Sequence, residues 1–269
     1  MTDAEHFFRR AESILDRLEQ FLPTNEICDL DDGIAWRWRK TNHVGRLQVI
    51  NRFNSISLDV LHHVDYQKQE LIRNTCQFLS GLPANNALLW GPRGTGKSSL
   101  VKALLNAYAK DGLRMIEVER QDLIDLPDIV ERLDGNNGKF VVFCDDLSFD
   151  EQDSTYRALK VVLDGSVLST PDNLIIYATS NRRHLVPERL ADNLDARPID
   201  GEIHQSEAVE EKISLSERFG LWLSFQPFNQ ESYLNIVNHW LKDLDVAAAD
   251  GDEVRRAALQ WAMLHGSRS

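Results

Sequence analysis

The chain has 269 residues, of which 42% are hydrophobic, enough for a sizeable core in one large domain or two smaller ones. Acidic residues outnumber basic ones 42 to 30, and the formal net charge of -12 argues against a general polyanion binder, so nucleic acid is not favoured as a partner. No apolar run approaches the roughly 20 residues of a membrane span, and Met1-Thr2-Asp3-Ala4-Glu5 lacks the basic-then-apolar pattern of a signal peptide.

The first predicted element is an amphipathic helix over 4–22, with Phe7, Phe8, Ala11, Ile14, Leu15, Leu18 and Phe21 at helical spacing. Thr2 and Glu5 can form a capping box, and Pro23 follows its end. Residues 24–58 are less regular. Within them Ile34, Trp36 and Trp38 alternate with Ala35, Arg37 and Arg39, which predicts a short half-buried strand. Arg37, Arg39, Lys40 and Arg46 beside two tryptophans can be read as a nucleic-acid surface. The plainer reading puts the tryptophans in the core and the arginines in water, and the net charge favours it. A second helix is predicted over 65–80, entered at Asp65 and ended at Gly81.

From residue 86 strands and helices alternate. Strands are predicted at 87–90, 114–119, 139–144, 173–179 and 221–225, and helices at 97–109, 121–133, 153–164 and 206–217. This order implies a mostly parallel sheet covered on both faces. Phe140–Cys144 and Leu174–Ala178 are apolar throughout, as doubly buried strands should be. After Pro227, helices over 229–243 and 252–265 form a small appendage. The expected division is therefore 1–85, 86–226 and 227–269. Cys28, Cys76 and Cys144 are widely spaced, suiting reduced thiols in a cytoplasmic protein rather than a disulfide framework or zinc site.

The chemistry concentrates at four places. Gly91-Pro92-Arg93-Gly94-Thr95-Gly96-Lys97-Ser98-Ser99 lies between a predicted strand and a predicted helix. That is the setting of a phosphate-binding loop, in which glycines turn backbone N–H groups toward phosphate oxygens and the helix N-terminus adds positive potential. Lys97 then faces the β- and γ-phosphates of ATP, and Ser98 offers a hydroxyl to Mg²⁺. Phe140–Cys144 ends in Asp145 and Asp146. A carboxylate at the C-terminal end of a buried strand lies where open α/β sheets bind ligands. Asp145 is assigned to Mg²⁺ with Ser98, and Asp146 to the attacking water. A third strand ends in Thr179-Ser180-Asn181, and Asn181 can present an uncharged amide to the γ-phosphate and the water. Lastly, Arg218 stands just before the fifth strand, either as a surface arginine paired with Glu217 or Glu211, or as a group reaching a neighbouring subunit's phosphate.

These four places together resemble an AAA+ ATPase module, with Walker A at 91–98, Walker B at 140–146, sensor 1 at Asn181, an arginine finger at Arg218 and a helical lid. More narrowly, the chain resembles the bacterial AAA+ family known as DUF815. The stretches Leu88–Lys102, Cys144–Phe149, Ala178–Leu185 and Ser216–Phe225 carry that resemblance. It implies a P-loop α/β fold with a central five-stranded parallel sheet, a helical N-terminal region and a small C-terminal lid. It also implies ATP and Mg²⁺ as ligands, hydrolysis as the activity, a homo-oligomer with the hexamer among the candidate sizes, and a macromolecular partner that the family does not identify. The alternative is an ATP-gated binding scaffold with little turnover. A P-loop kinase is disfavoured because no substrate-binding insert stands out. Two departures matter. Most AAA+ proteins carry Glu where this chain has Asp146, whose carboxylate is one methylene shorter. And the pattern of resembling proteins continues beyond His265 with a Gly-Arg and a further helix, so a truncated lid without its sensor 2 arginine is expected.

Overall fold

The computed structural model describes residues 33–41, 44–53, 56–149, 155–164, 171–183, 185, 215–244 and 251–265, with Leu30, the backbone of 197–199 and 202–204, and helical positions at Phe7, Arg10, Glu12 and Ile14. The predicted helix over 4–22 lies otherwise outside the described residues, as do its capping box, most of the predicted helix over 206–217, Cys28 and the chain's last four residues.

Strands β1 (Ala35–Thr41) and β2 (Val44–Val49) form an antiparallel pair. Helix α1 (Asp65–Leu79) leads to β3 (Ala87–Trp90), α2 (Lys97–Tyr108) and β4 (Leu113–Glu117). Next come α3 (Leu126–Leu133), β5 (Lys139–Cys144), α4 (Thr155–Leu163) and β6 (Leu174–Ser180). A separate two-stranded hairpin, β7 (Arg197–Ile199) and β8 (Glu202–His204), precedes β9 (Leu221–Ser224), and α5 (Gln230–Asp243) and α6 (Gly251–His265) follow.

The main sheet has seven strands in the order β2-β1-β4-β5-β6-β3-β9. All neighbours run parallel except β1 and β2. The five predicted strands are therefore present and contiguous, and the expectation of five strands needs correcting to seven. The hairpin of β7 and β8 is not predicted, and the strand of the main sheet that sequence reading misses is β2. Its segment shows only one buried apolar residue, Leu47, and the link from Thr41 to Val44 lacks the glycine of a common hairpin turn. Gly45 carries the missing signal: a Cβ there would lie 1.9 Å from Cζ2 of Trp38, so the indole lies across the partner strand where only hydrogen fits.

Alternation along the strands divides the core into two layers. Trp36, Trp38, Ile116, Val142 and Ile176 face α3 and α4, where Leu126, Ile129, Leu133 and Leu159 close that side. Leu89, Met115, Val141, Phe143 and Tyr177 face α1 and α2, meeting Leu71, Phe78, Leu100 and Leu104. At about 25 cal/mol per Å² of apolar surface, this burial on both faces is the main source of stability. The helix predicted over 121–133 is in fact two pieces, a tight 3₁₀ segment Arg120–Asp125 and then α3. Pro127 explains the break. It has no N–H to donate and is tolerated in the first turn of a new α-helix, not inside a continuous one.

Candidate nucleotide site

The order of strands creates the site. The chain leaves β3, crosses β6 and β5 to build β4, then returns to fill the gap, so β6 separates the strand of the glycine-rich loop from the strand of the acidic pair. All three end at the same edge of the sheet, at a reversal of strand order where such sheets bind ligands.

Gly91 opens the loop at φ 144°, and a Cβ there would lie 2.1 Å from the carbonyl oxygen of Phe225. No residue with a side chain fits. Its N–H donates to the Ser180 carbonyl at 3.1 Å, joining the loop to β6. Gly94 and Gly96 also have positive φ, 76° and 92°. Gly96 caps α2 without a side-chain hydrogen bond, so the N–H groups of the first turn have no intrahelical acceptor. Thr95 is buried and donates its hydroxyl to the Pro92 carbonyl at 2.9 Å, bracing the loop from inside.

Lys97 is 6% exposed. Its ammonium donates to the carbonyls of Gly91 and Pro92, both at 2.7 Å, and lies 3.4 Å from Oδ1 of Asn181. Burial lowers its pKa, with Asp145 and then Asp146 opposing that shift. A cation held out of water by carbonyl dipoles, with no carboxylate in direct contact, is a prepared receptor for an anion.

Asp145 and Asp146 differ in role by geometry. Oδ1 of Asp145 accepts from the hydroxyls of Ser98 at 2.6 Å and Thr179 at 2.5 Å. Asp146 adopts φ 53°, uncommon for a non-glycine residue, and its N–H donates to Oγ1 of Thr179 at 2.9 Å. Its carboxylate accepts from the Asn181 amide on one oxygen, and Arg93 lies 3.3 Å from the other. Asn181 thus bridges the lysine and the carboxylate. Behind them the N–H of Leu147 donates to the Thr179 carbonyl at 2.7 Å, and the Ser180 hydroxyl donates to the Leu147 carbonyl at 2.7 Å. Both bonds lock the turn after β5 to β6.

The resulting open pocket of about 290 Å³ is lined by Arg93, Gly94, Gly96, Lys97, Ser98, Ser99, Asp145, Asp146, Thr179 and Asn181. Gly91, Pro92 and Thr95 support it from behind. Thr179, which touches both aspartates, is a site residue that the sequence reading misses. Its position directly before Ser180 and Asn181 on a buried strand is the signal that could have found it. Arg218 does not line the pocket. It pairs with Asp164, at the end of α4, and its Nε is buried without a hydrogen-bond partner among the described residues. Of the two partners considered from sequence, Glu217 does not take that role, and Glu211 lies outside the described residues. The donor set fits magnesium and a nucleotide by its chemistry: a hydroxyl and a carboxylate converge at Ser98 and Asp145, beside a buried lysine and the uncapped start of α2.

A glycine-rich loop on a buried strand, an uncapped helix behind it and a carboxylate pair one strand away define an α/β P-loop protein. The family model described as "Protein of unknown function (DUF815)" matches residues 31–269, and the chain belongs to that family. The resemblance to this family read from the motifs is borne out. Among curated proteins, the replication factor C large subunit of Sulfolobus acidocaldarius is 32% identical over 111 residues, 41% of this chain and 25% of that protein. The chain thus spans about a quarter of the length of the curated relative it matches. Similar solved structures include a variant of RuvB from Thermotoga maritima, at TM-score 0.48 and 15% identity, covering 74% of this chain and 57% of that one. Another is Orc1 of Aeropyrum pernix in complex with DNA, at TM-score 0.48 and 16% identity, covering 67% and 50%. A third is the AAA domain of FIGL-1 in complex with ADP, at 0.49 and 18%, covering 76% and 67%. Among the described residues, no helix is long and apolar enough to cross a membrane.

Proposed function

We propose that this chain binds ATP with Mg²⁺ and hydrolyses it as an AAA+ type ATPase, coupling turnover to the remodelling or loading of a macromolecular partner. The observation that carries the reading is the convergence of Lys97, Ser98, Asp145, Asp146, Thr179 and Asn181 on one pocket at the sheet edge. Lys97 and the N–H groups at the start of α2 hold the phosphates. Ser98 and Asp145 hold Mg²⁺, which neutralises charge on the phosphate oxygens when bound. Asp146 orients the attacking water and accepts its proton, and Asn181 positions water and terminal phosphate together. Arg218 acts in trans on the nucleotide of an adjacent subunit in a cytoplasmic homo-oligomer. In its own subunit it waits on Asp164. Partner recognition is assigned to residues 1–85, the nucleotide chemistry to 86–226 and the lid to 227–269.

The partner's class stays open to nucleic acid. The sequence-based expectation against it gains no support when the curated relative is a replication factor subunit. Arg37, Arg39 and Lys40 do not supply a free basic patch, because each is paired with a carboxylate. Titrating labelled single-stranded DNA at physiological salt tests the point, and tight, salt-sensitive binding would identify a nucleic-acid loader.

Binding is tested with Lys97→Ala, which removes the buried cation. A fluorescent ATP analogue with Mg²⁺ should bind the native protein and bind the variant far more weakly; equal affinities would refute the phosphate site. The second reading, a scaffold with little turnover, is favoured by the two donors already engaging Asp146. It wins if the native protein binds ATP but hydrolyses none above background.

A further inference from the structure

Arg93 is the third residue of the phosphate loop, and its side chain is 83% exposed while still lining the pocket. Its ionic partner among the described residues is Asp146, at 3.3 Å. The two ends of this pair differ in freedom. Asp146 is held by its left-handed backbone and by its N–H bond to Thr179. Arg93 is a long side chain on an exposed turn, able to reach any anion nearby. The Asp146 carboxylate carries one negative charge. A terminal phosphate carries nearly two and offers three strong acceptor oxygens.

We infer that Arg93, at the exposed end of a pocket whose buried end is Lys97, distinguishes nucleoside triphosphate from diphosphate by exchanging partners: it rests on Asp146 until the third phosphate, which a diphosphate lacks, takes its guanidinium away. This rests on the reading of the pocket as an ATP site and names how that site recognises its substrate. Asp146 competes with the nucleotide for one cation, so seating the terminal phosphate costs the ion pair. The same exchange leaves an oxygen of Asp146 free of its cation when a water needs a proton acceptor. Asn181, which touches both Lys97 and Asp146, stays in place between the buried cation and the carboxylate.

The test is a double-mutant cycle on binding, not on turnover. Native protein, Arg93→Ala, Asp146→Asn and the double variant are titrated with a fluorescent, non-hydrolysable ATP analogue and with a fluorescent ADP analogue, both with Mg²⁺. Asp146→Asn removes repulsion of the terminal phosphate in either background, but removes the competition for the guanidinium only where Arg93 is present. It should therefore tighten the ATP analogue about threefold more in the native background than in the Arg93→Ala background, the scale of an exposed ion pair. With the ADP analogue the two factors should be equal. Arg93→Lys should keep part of the difference, because it keeps the charge and loses the planar fork. Equal factors with the ATP analogue, or the same difference with ADP, would overturn the exchange. A native protein that binds neither analogue would overturn the ATP site itself, a result distinct from additive factors in a protein that binds ATP.

Discussion

Two clusters of opposite charge lie on this molecule, and they are built differently. At the β1–β2 edge every cation named from sequence but Arg46 has a carboxylate partner among the described residues. Arg37 meets Glu117, Arg39 meets Glu119 at 3.0 Å, and Lys40 meets Asp125 at 2.7 Å. Asp125 also accepts from the indole N–H of Trp38 at 3.0 Å. At the phosphate loop, Lys97 is the more deeply buried cation, yet it touches only carbonyls and an amide oxygen, while Asp145 accepts from two hydroxyls. The edge spends its charges on joining elements. The pocket keeps its buried lysine close to the acidic pair but out of contact with it, which is unfavourable unless a ligand completes them.

Arg218 is where this contrast can be broken, because it is paired like an edge residue and assigned to catalysis like a pocket residue. Arg218→Ala should lower hydrolysis by roughly 10³-fold or more and leave ATP binding by an isolated subunit nearly unchanged, as for other arginine fingers. Mixing it with Lys97→Ala should partly restore activity, since some interfaces then join an intact loop to an intact finger. No recovery in mixed oligomers would return Arg218 to the structural class, as a brace between Asp164 and β9.

Within the pocket, Asp146→Asn should lower hydrolysis by roughly 10²-fold while the nucleotide still binds, at least as tightly as to the native protein, and Tm holds. Steady-state turnover alongside a thermal melt checks both, and unchanged turnover would remove Asp146 from the chemistry. The edge should behave the opposite way. Asp125→Ala leaves the Trp38 N–H buried without an acceptor and Lys40 without its partner. It should cost about 1–3 kcal/mol of stability in a denaturant titration and leave ATP affinity alone. Arg39→Ala, removing an exposed pair, should cost less than about 1 kcal/mol by the same titration.

The smallest effect concerns pH. His62 and His239 meet ring to ring at 4.3 Å, joining the segment before α1 to α5, and the Nε2 of each is buried without a hydrogen-bond partner among the described residues. Burial, then His239, His63 and Lys68, lower the pKa of His62, against the pull of Asp65. The unfolded chain therefore binds the proton more readily. The stability this contributes is present above the ordinary histidine value near 6.5 and is lost as pH falls through the lower folded value. Melts between about pH 7.5 and 5.5, a window spanning that value, should show a drop in Tm that His62→Gln makes shallower; parallel curves would assign the acid sensitivity to other groups.

Much of the architecture is legible in the sequence because it rests on local pattern. The unbroken apolar runs before Gly91 and Asp145 locate β3 and β5 to the residue. Helix α1 follows from spacing, and α2 from the loop that feeds it. What is not legible depends on residues far apart in the chain. The attachment of β1 to β4 is set by pairing, which no window of sequence contains. The Asp164 partner of Arg218 sits on another element, so its chain neighbour Glu217 is the natural but wrong candidate. Thr179 looks like one small polar residue among three until two aspartates are seen to converge on it.

The contact between Gly91 and Phe225 has a mechanical consequence. The Phe225 N–H donates to the Trp90 carbonyl at 2.8 Å, and its own carbonyl fills the space where a side chain on Gly91 would be. One residue earlier, the Ser224 carbonyl is gripped by the Gln67 amide at 2.6 Å. The strand that ends here continues within a few residues into α5. The first peptide of the glycine-rich loop and the stretch that leads into α5 are therefore packed backbone against backbone, with no slack between them. Neither can shift by itself without opening the backbone contact between Gly91 and Phe225.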